Sequence, residues 1–142
     1  MADLPLLVVD GANVVGSVPD GWWRDRAGAA TRLRDELAPI AATGVPEWPG
    51  PVEVVLVVEG KARGVGGSDT VEVVAADGSG DDAIVRLVAE ATGRRVAVVT
   101  ADRELRARVT ALGATVLGPR TVRTAAPRSG SASSGPRTDP AR

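Results

Sequence analysis

Short continuous apolar runs along the chain alternate with stretches whose apolar residues recur every three or four positions. Leu6-Leu7-Val8-Val9 is one such run and stops at Asp10-Gly11, which predicts a central parallel strand buried on both faces. Residues 11–21 hold three Gly, one Pro and one Asn and read as a loop. From about Asp25, apolar residues fall at Ala30, Leu33, Leu37 and Ile40, the spacing of one helix face. Pro39 lacks a backbone donor and clashes with the preceding turn, so this helix should stop or kink near Ala38. Gly44 to Pro51 carries Pro46, Pro49 and Pro51 and reads as a loop.

Val52 to Val58 predicts a second strand, ending at Glu59-Gly60, and Val71 to Ala75 a third. The Gly-rich link between them is near the lower limit for a parallel crossover, which leaves the direction of the third strand open. Ser79-Gly80-Asp81-Asp82 opens a helix with Ile84, Leu87, Val88 and Ala91 on one face, and Gly93 is a natural stop. Val96 to Val99 is a fourth strand, followed by Thr100-Ala101-Asp102. The next helix carries Leu105, Val109 and Leu112, has Glu104 four residues before Arg108, and ends at Gly113. Ala114 to Leu117 is a fifth strand. This alternation predicts an α/β fold: a mainly parallel five-stranded sheet with helices on both faces, over residues 1–119. Residues 120–142 hold five Arg, four Ser and three Pro with few large apolar side chains, and are expected to form a disordered tail.

Composition narrows the chemistry. The chain has 142 residues, room for one domain. Cys is 0 and His is 0, which excludes disulfides, thiolate or imidazole metal ligands, cysteine nucleophiles and Ser-His triads. Tyr and Phe are also 0, so stacking on a base would fall to Trp22, Trp23 or Trp48. What remains is carboxylates, hydroxyls, Arg, the single Lys61 and a hard metal ion. The net charge of −1 divides unevenly, with −5 on residues 1–119 and +4 on residues 120–142. No apolar run reaches the ~18 residues of a membrane span, and Met1-Ala2-Asp3 lacks the basic start of a signal peptide. A cytoplasmic protein is expected.

The acids are informative by position. Asp10 ends the first strand, Glu59 ends the second, Asp102 follows the fourth, and Asp81 and Asp82 begin the helix before the fourth. In a parallel α/β sheet, the carboxyl ends of strands and the amino ends of the following helices share one edge. If the first and fourth strands are neighbours at a topological switch point, Asp10 and Asp102 face one crevice. Carboxylates packed there repel one another and call for a cation; an oxygen-only set suits Mg²⁺ or Mn²⁺. Each acid also has an ordinary structural use, as a helix cap or a complement to a helix dipole. Asn13 fits an Asx turn or a phosphate contact, and Thr100 strand packing or a bond to a site carboxylate. Arg24, Arg26, Arg103 and Lys61 are candidate phosphate contacts, with surface ion pairs as the plain alternative. Trp22 and Trp23 serve either to clamp the helix onto the sheet or to stack on a base.

Val8-Val9-Asp10-Gly11-Ala12-Asn13, Gly80-Asp81-Asp82-Ala83-Ile84 and Val99-Thr100-Ala101-Asp102 resemble the three acidic motifs of NYN-domain proteins, in the PIN-like nuclease superfamily, and most nearly its YacP-like branch. The likeness runs from about residue 5 to residue 118, with the motifs in order. It implies a three-layer PIN-like fold and a metal-dependent ribonuclease that uses Mg²⁺ or Mn²⁺ to direct water at an RNA phosphate. By that likeness Asp10, Asp82 and Asp102 are metal-binding acids, Asp81 is a companion acid, and Asn13 and Thr100 are the matching polar residues. The chain departs from the pattern at Glu59, where many relatives carry Asp, and at Ala12, where an aromatic is common. The alternative within the same fold is a non-catalytic module that binds RNA, a ribosome or a protein partner. A phosphoacceptor domain would need paired acids on the first strand and a Lys after the fifth, where this chain has Asp10 alone and Pro119-Arg120. A nucleotide-binding Rossmann domain would need a glycine fingerprint or a P-loop Lys, which Gly11-Ala12-Asn13-Val14-Val15-Gly16 does not supply.

Overall fold

A computed structural model of the chain describes residues 4–18, 21–91 and 93–125. Its main sheet has five strands: β1 (Leu6–Asp10), β4 (Glu53–Val58), β5 (Val71–Ala75), β6 (Val96–Val99) and β7 (Thr115–Leu117). They lie in the order β5-β4-β1-β6-β7, and every neighbouring pair is parallel. The direction of β5 is thereby fixed: Val54 pairs with Val71 and Val58 with Ala75, both running the same way. The order reverses at β1, which has β4 on one side and β6 on the other.

Among the described residues six helices cover the sheet: α1 (Gly11–Gly16), α2 (Arg26–Leu37), α3 (Ile40–Thr43), α4 (Gly80–Glu90), α5 (Arg103–Ala111) and α6 (Pro119–Ala125). Strand side chains alternate between two cores. Leu7, Val9, Val54, Leu56, Val58, Ala97 and Val99 join Val14, Leu33, Leu37 and Ile40 beneath α1, α2 and α3. Leu6, Val8, Val55, Val57, Val96 and Val98 face Ile84 and Val88 of α4 and Leu105 and Val109 of α5. Three layers result, as the alternating pattern predicts.

Three segments differ from their sequence reading. The expected loop after Asp10 begins as helix α1, because the Asp10 side chain accepts a hydrogen bond from the Asn13 N–H and Val14 and Val15 are buried. The expected loop at Gly44 to Pro51 contains a two-stranded ribbon, β2 (Gly44–Val45) with β3 (Trp48–Pro49), pinned by buried Trp48 and by Gly44 at φ 71°. The folded part also runs past residue 119. Pro39 acts as expected: α2 ends at Leu37 and the chain resumes as α3.

Helix α6 starts on Pro119, whose fixed φ suits a first helical position, and sends Val122 into the first core at 1% exposure. The remainder of the expected tail, residues 126–142, lies outside the described residues. Val122→Ala is expected to lower the unfolding free energy by about 1–3 kcal/mol, while Arg120→Ala on the exposed side of the same helix leaves it unchanged. Denaturant melts of the two variants check this.

Candidate functional site

The period of two along each strand decides which way the site residues point. Asp10 continues the series of Leu6 and Val8, Glu59 that of Val55 and Val57, and Thr100 that of Val96 and Val98. All three therefore lean toward the α4–α5 layer at the carboxyl edge of the sheet. The amino ends of α4 and α5 lie at that edge, bringing Asp81, Asp82 and Asp102 to it.

Asp10 is 5% exposed and Thr100 is fully buried; they are the two buried polar residues among the described ones. The Thr100 hydroxyl donates to Asp10 Oδ2 at 2.9 Å and accepts from the Asp102 N–H at 3.1 Å, so one oxygen joins the ends of β1 and β6. Asn13 Oδ1 accepts from the Ala101 N–H at 2.8 Å, a second tie across the switch point. Asp102 caps α5 by accepting from the Leu105 N–H at 3.0 Å. Arg106 Nε donates to the Thr100 carbonyl at 2.7 Å. Glu59 Oε2 accepts from the Gly80 N–H at 2.6 Å, across from β4 to the start of α4. Gly80 permits that approach, since a Cβ there would collide with the same carboxylate oxygen.

Both structural and functional uses of the acids are thus visible. Asp10 and Asp102 are helix caps, and they also share an edge with other carboxylates. Burial raises the pKa of Asp10; the bonds from Thr100 and the Asn13 N–H pull it back, and Asp81 and Glu59 push it up again. Asp81 is raised by burial first, then by Asp102 and Glu59, against a lowering by Arg108 and a further rise from Glu104. Asp82 turns away from this group: it is exposed, caps nothing and pairs with Arg108 of α5 at 3.1 Å. Arg108 therefore takes its partner from α4 rather than from Glu104 one turn before it.

The structure accordingly brings Asp10, Asn13, Glu59, Asp81, Thr100 and Asp102 to one rim, and sets Asp82 on its flank. The sequence reading gave Glu104 only a helical pairing with Arg108 and did not name Arg106; both lie on α5 within reach of this rim, and closeness to Asp102 is the signal that could have pointed to them. Of the candidate substrate contacts, Arg103 opens α5 beside Asp102. Trp22, half-buried, packs against the first core and the backbone of Gly16, with the Arg26 guanidinium 5.4 Å from its ring centre. Trp23 is 55% exposed, meets Arg24 at 5.8 Å and stands edge-on to Trp22 at 6.1 Å, so it lies on the surface outside the core. Lys61 sits on the short 3₁₀ turn after Glu59.

The donors at the rim are carboxylate, hydroxyl and amide oxygens, the set that suits a hard divalent ion. Mutual repulsion at Asp10 and Asp81 is the electrostatic state that such an ion relieves. As they stand, however, no three acidic side chains among the described residues are close enough to hold an ion together. The chemistry of the donor set fits; ligation requires side chains such as Asp81 and Asp102 to turn.

A three-layer, parallel α/β domain with an acidic crevice at its switch point is the class that these features define. The crystal structure of Rae1 (YacP) from Bacillus subtilis superposes on it with a TM-score of 0.65, at 20% identity, over 84% of this chain and 74% of that one. A tryptophan-to-leucine variant of the same protein gives a TM-score of 0.65 at 18% identity, over 85% and 74% of the two chains. The fold is YacP-like. No family model matches the chain, and no curated protein matches it.

The raised pKa values carry a pH signature. The folded chain holds the Asp10 and Asp81 protons to higher pH than the unfolded chain, whose carboxyls titrate near 3.8. Their contribution to stability is therefore fullest below that value and is lost as pH rises through the folded values. Asp10→Asn removes the charge, and the Thr100 hydroxyl can reverse to accept from the new amide. The variant is expected to raise Tm at neutral pH, by about 3 °C for each kcal/mol relieved, and to flatten the pH slope above ~4. Thermal melts across that range check both.

Proposed function

We propose that the chain is a metal-dependent endoribonuclease that hydrolyses phosphodiester bonds of single-stranded RNA. The observation that supports this reading is the electrostatic coupling of Asp10 to Asp81 and of Asp81 to Asp102 along one edge of a YacP-like fold, where the repelling carboxylates call for a cation. The sequence resemblance to NYN-domain nucleases supports it independently. On this reading Asp10, Asp81, Asp82 and Asp102 hold a Mg²⁺ or Mn²⁺ ion, which when bound lowers the pKa of water and offsets charge on the phosphate. Asp10, Asp82 and Asp102, with Asn13, form the catalytic set, and Asp82 would have to leave its ion pair with Arg108 to join the others in holding the ion.

The remaining residues orient the parts. Thr100 holds the Asp10 carboxylate through one hydroxyl bond and fixes the Asp102 backbone through another. Asn13 spends its carbonyl oxygen on Ala101, so its NH₂ is the half it offers a phosphate oxygen. Arg103 at the head of α5 and Arg24 ahead of α2 supply positive charge for the RNA backbone, and Arg26, the first residue of α2, meets the RNA beside Trp22. No helix among the described residues is long and apolar enough to cross a membrane, and the setting proposed for this activity is the cytoplasm.

One observation favours a second reading. Because no three acids among the described residues are grouped at ligand distance, the same rim would also suit a non-catalytic module that binds RNA or a protein partner such as a ribosomal one. Such a module retains RNA in chelator and turns none over.

Labelled single-stranded RNA with Mn²⁺ separates the two. Wild type is expected to cleave it, leaving products without cyclic phosphate, because the attacking oxygen comes from water. Asp10→Asn is expected to lose at least ~100-fold in rate; equal cleavage by both proteins would sink the proposal. Millimolar Mn²⁺ is further expected to raise the wild-type Tm, and Asp102→Asn to abolish that rise.

A further inference from the structure

The sheet edge that presents the acids has a second side. Strand alternation sends Asp10, Glu59 and Thr100 toward α4 and α5, while Val58 points the other way, under α1 and α2. On that other side lies a cavity of about 140 Å³ with a floor of Val15, Ala30 and Val58. One wall is the Trp22 indole with the Arg26 guanidinium beside it. Gly11, Glu59 and Gly60 form the edge it shares with the acid rim, and Ala12 stands exposed at the mouth. Gly11, the residue after Asp10, and Glu59, the residue after β4, thus belong to both places.

We propose that this cavity receives one unstacked base of the RNA strand, so that the flanking phosphate lies over the strand ends at the acids. This rests on the nuclease reading for the position of the scissile phosphate. Three features select a base over other occupants. An apolar cavity of similar size, about 150 Å³, takes up a benzene ring. Indole and guanidinium are the planar groups on which flipped-out bases stack. The lining offers few polar groups, so the pocket grips the ring face and does not read a base edge. A base already stacked in a duplex cannot enter, which makes the pocket selective for single strands.

The test measures binding of a short oligouridylate, by fluorescence anisotropy in chelator, against the same ribose-phosphate strand without bases. Wild type is expected to bind the strand with bases about tenfold more tightly. Ala12→Leu, placed on an exposed position and checked by thermal melting, fills the mouth and is expected to bind both strands alike. Arg26→Ala is expected to cut the same preference severalfold; an equal loss on both strands would make Arg26 a phosphate contact and overturn its place in the wall. A wild type without preference, or a preference that survives Ala12→Leu, overturns the pocket. If that same wild type cleaves RNA in Mn²⁺, the pocket fails and the nuclease stands. If wild type shows the preference in chelator yet never cleaves, the nuclease fails and the pocket stands.

Discussion

The Asp10 carboxylate is buried at the junction of β1 and β6, and its strongest partner is a hydroxyl. Thr100 donates to it at 2.9 Å and, through the same oxygen, receives the Asp102 N–H. Among the described residues the charged groups that act on it are the carboxylates of Asp81 and Glu59, which with desolvation keep its pKa up. A chain that needed Asp10 only as a cap for α1 could leave it in water, where most such caps lie. Burying it beside Asp81 and Glu59 costs stability, and that cost is what makes this edge of the sheet a place for chemistry.

The sheet order turns that local constraint into a site. With β4 on one side of β1 and β6 on the other, the connections leave β1 and β6 toward opposite layers, and a crevice opens between their ends. Asp10 and Asp102 each head a helix on its own side of that crevice, while Thr100 and Asn13 lace it shut at the backbone level. Glu59 performs a related task one strand over, holding the amino end of α4 by the Gly80 N–H and so fixing where Asp81 and Asp82 begin. The acids are therefore placed by elements that brace one another, and their side chains need only rotate to change partners.

The same edge divides two environments. On the α4–α5 side it is acidic and polar; on the α1–α2 side it borders an apolar cavity walled by Trp22 and Arg26. A polyanion with flat apolar side groups has both characters, and a strand of RNA laid along the edge would meet each with the matching half. In a chain with so few aromatic residues, the half-buried Trp22 serves packing and surface at once, whereas Trp23 stays largely in solvent.

The sequence by itself determined the layers. Continuous apolar runs of four to seven residues bounded by Gly, Pro or Asp read as strands covered on both faces, and helix-period stretches between them supply the cover, so the five-strand order of elements was legible from Leu6 to Leu117. It also put Asp10, Glu59, Asp81, Asp82 and Asp102 at one edge, because chain direction alone puts strand ends and following helix starts together. It did not show α1, whose capping depends on the buried Asp10, nor α6, whose single apolar anchor, Val122, has meaning only once a core exists to receive it. Which of two adjacent acids faces the rim was decided by tertiary structure alone. Neighbouring residues on a helix point about 100° apart, and only the position of α5 shows that Asp82 meets Arg108 while Asp81 feels the other carboxylates.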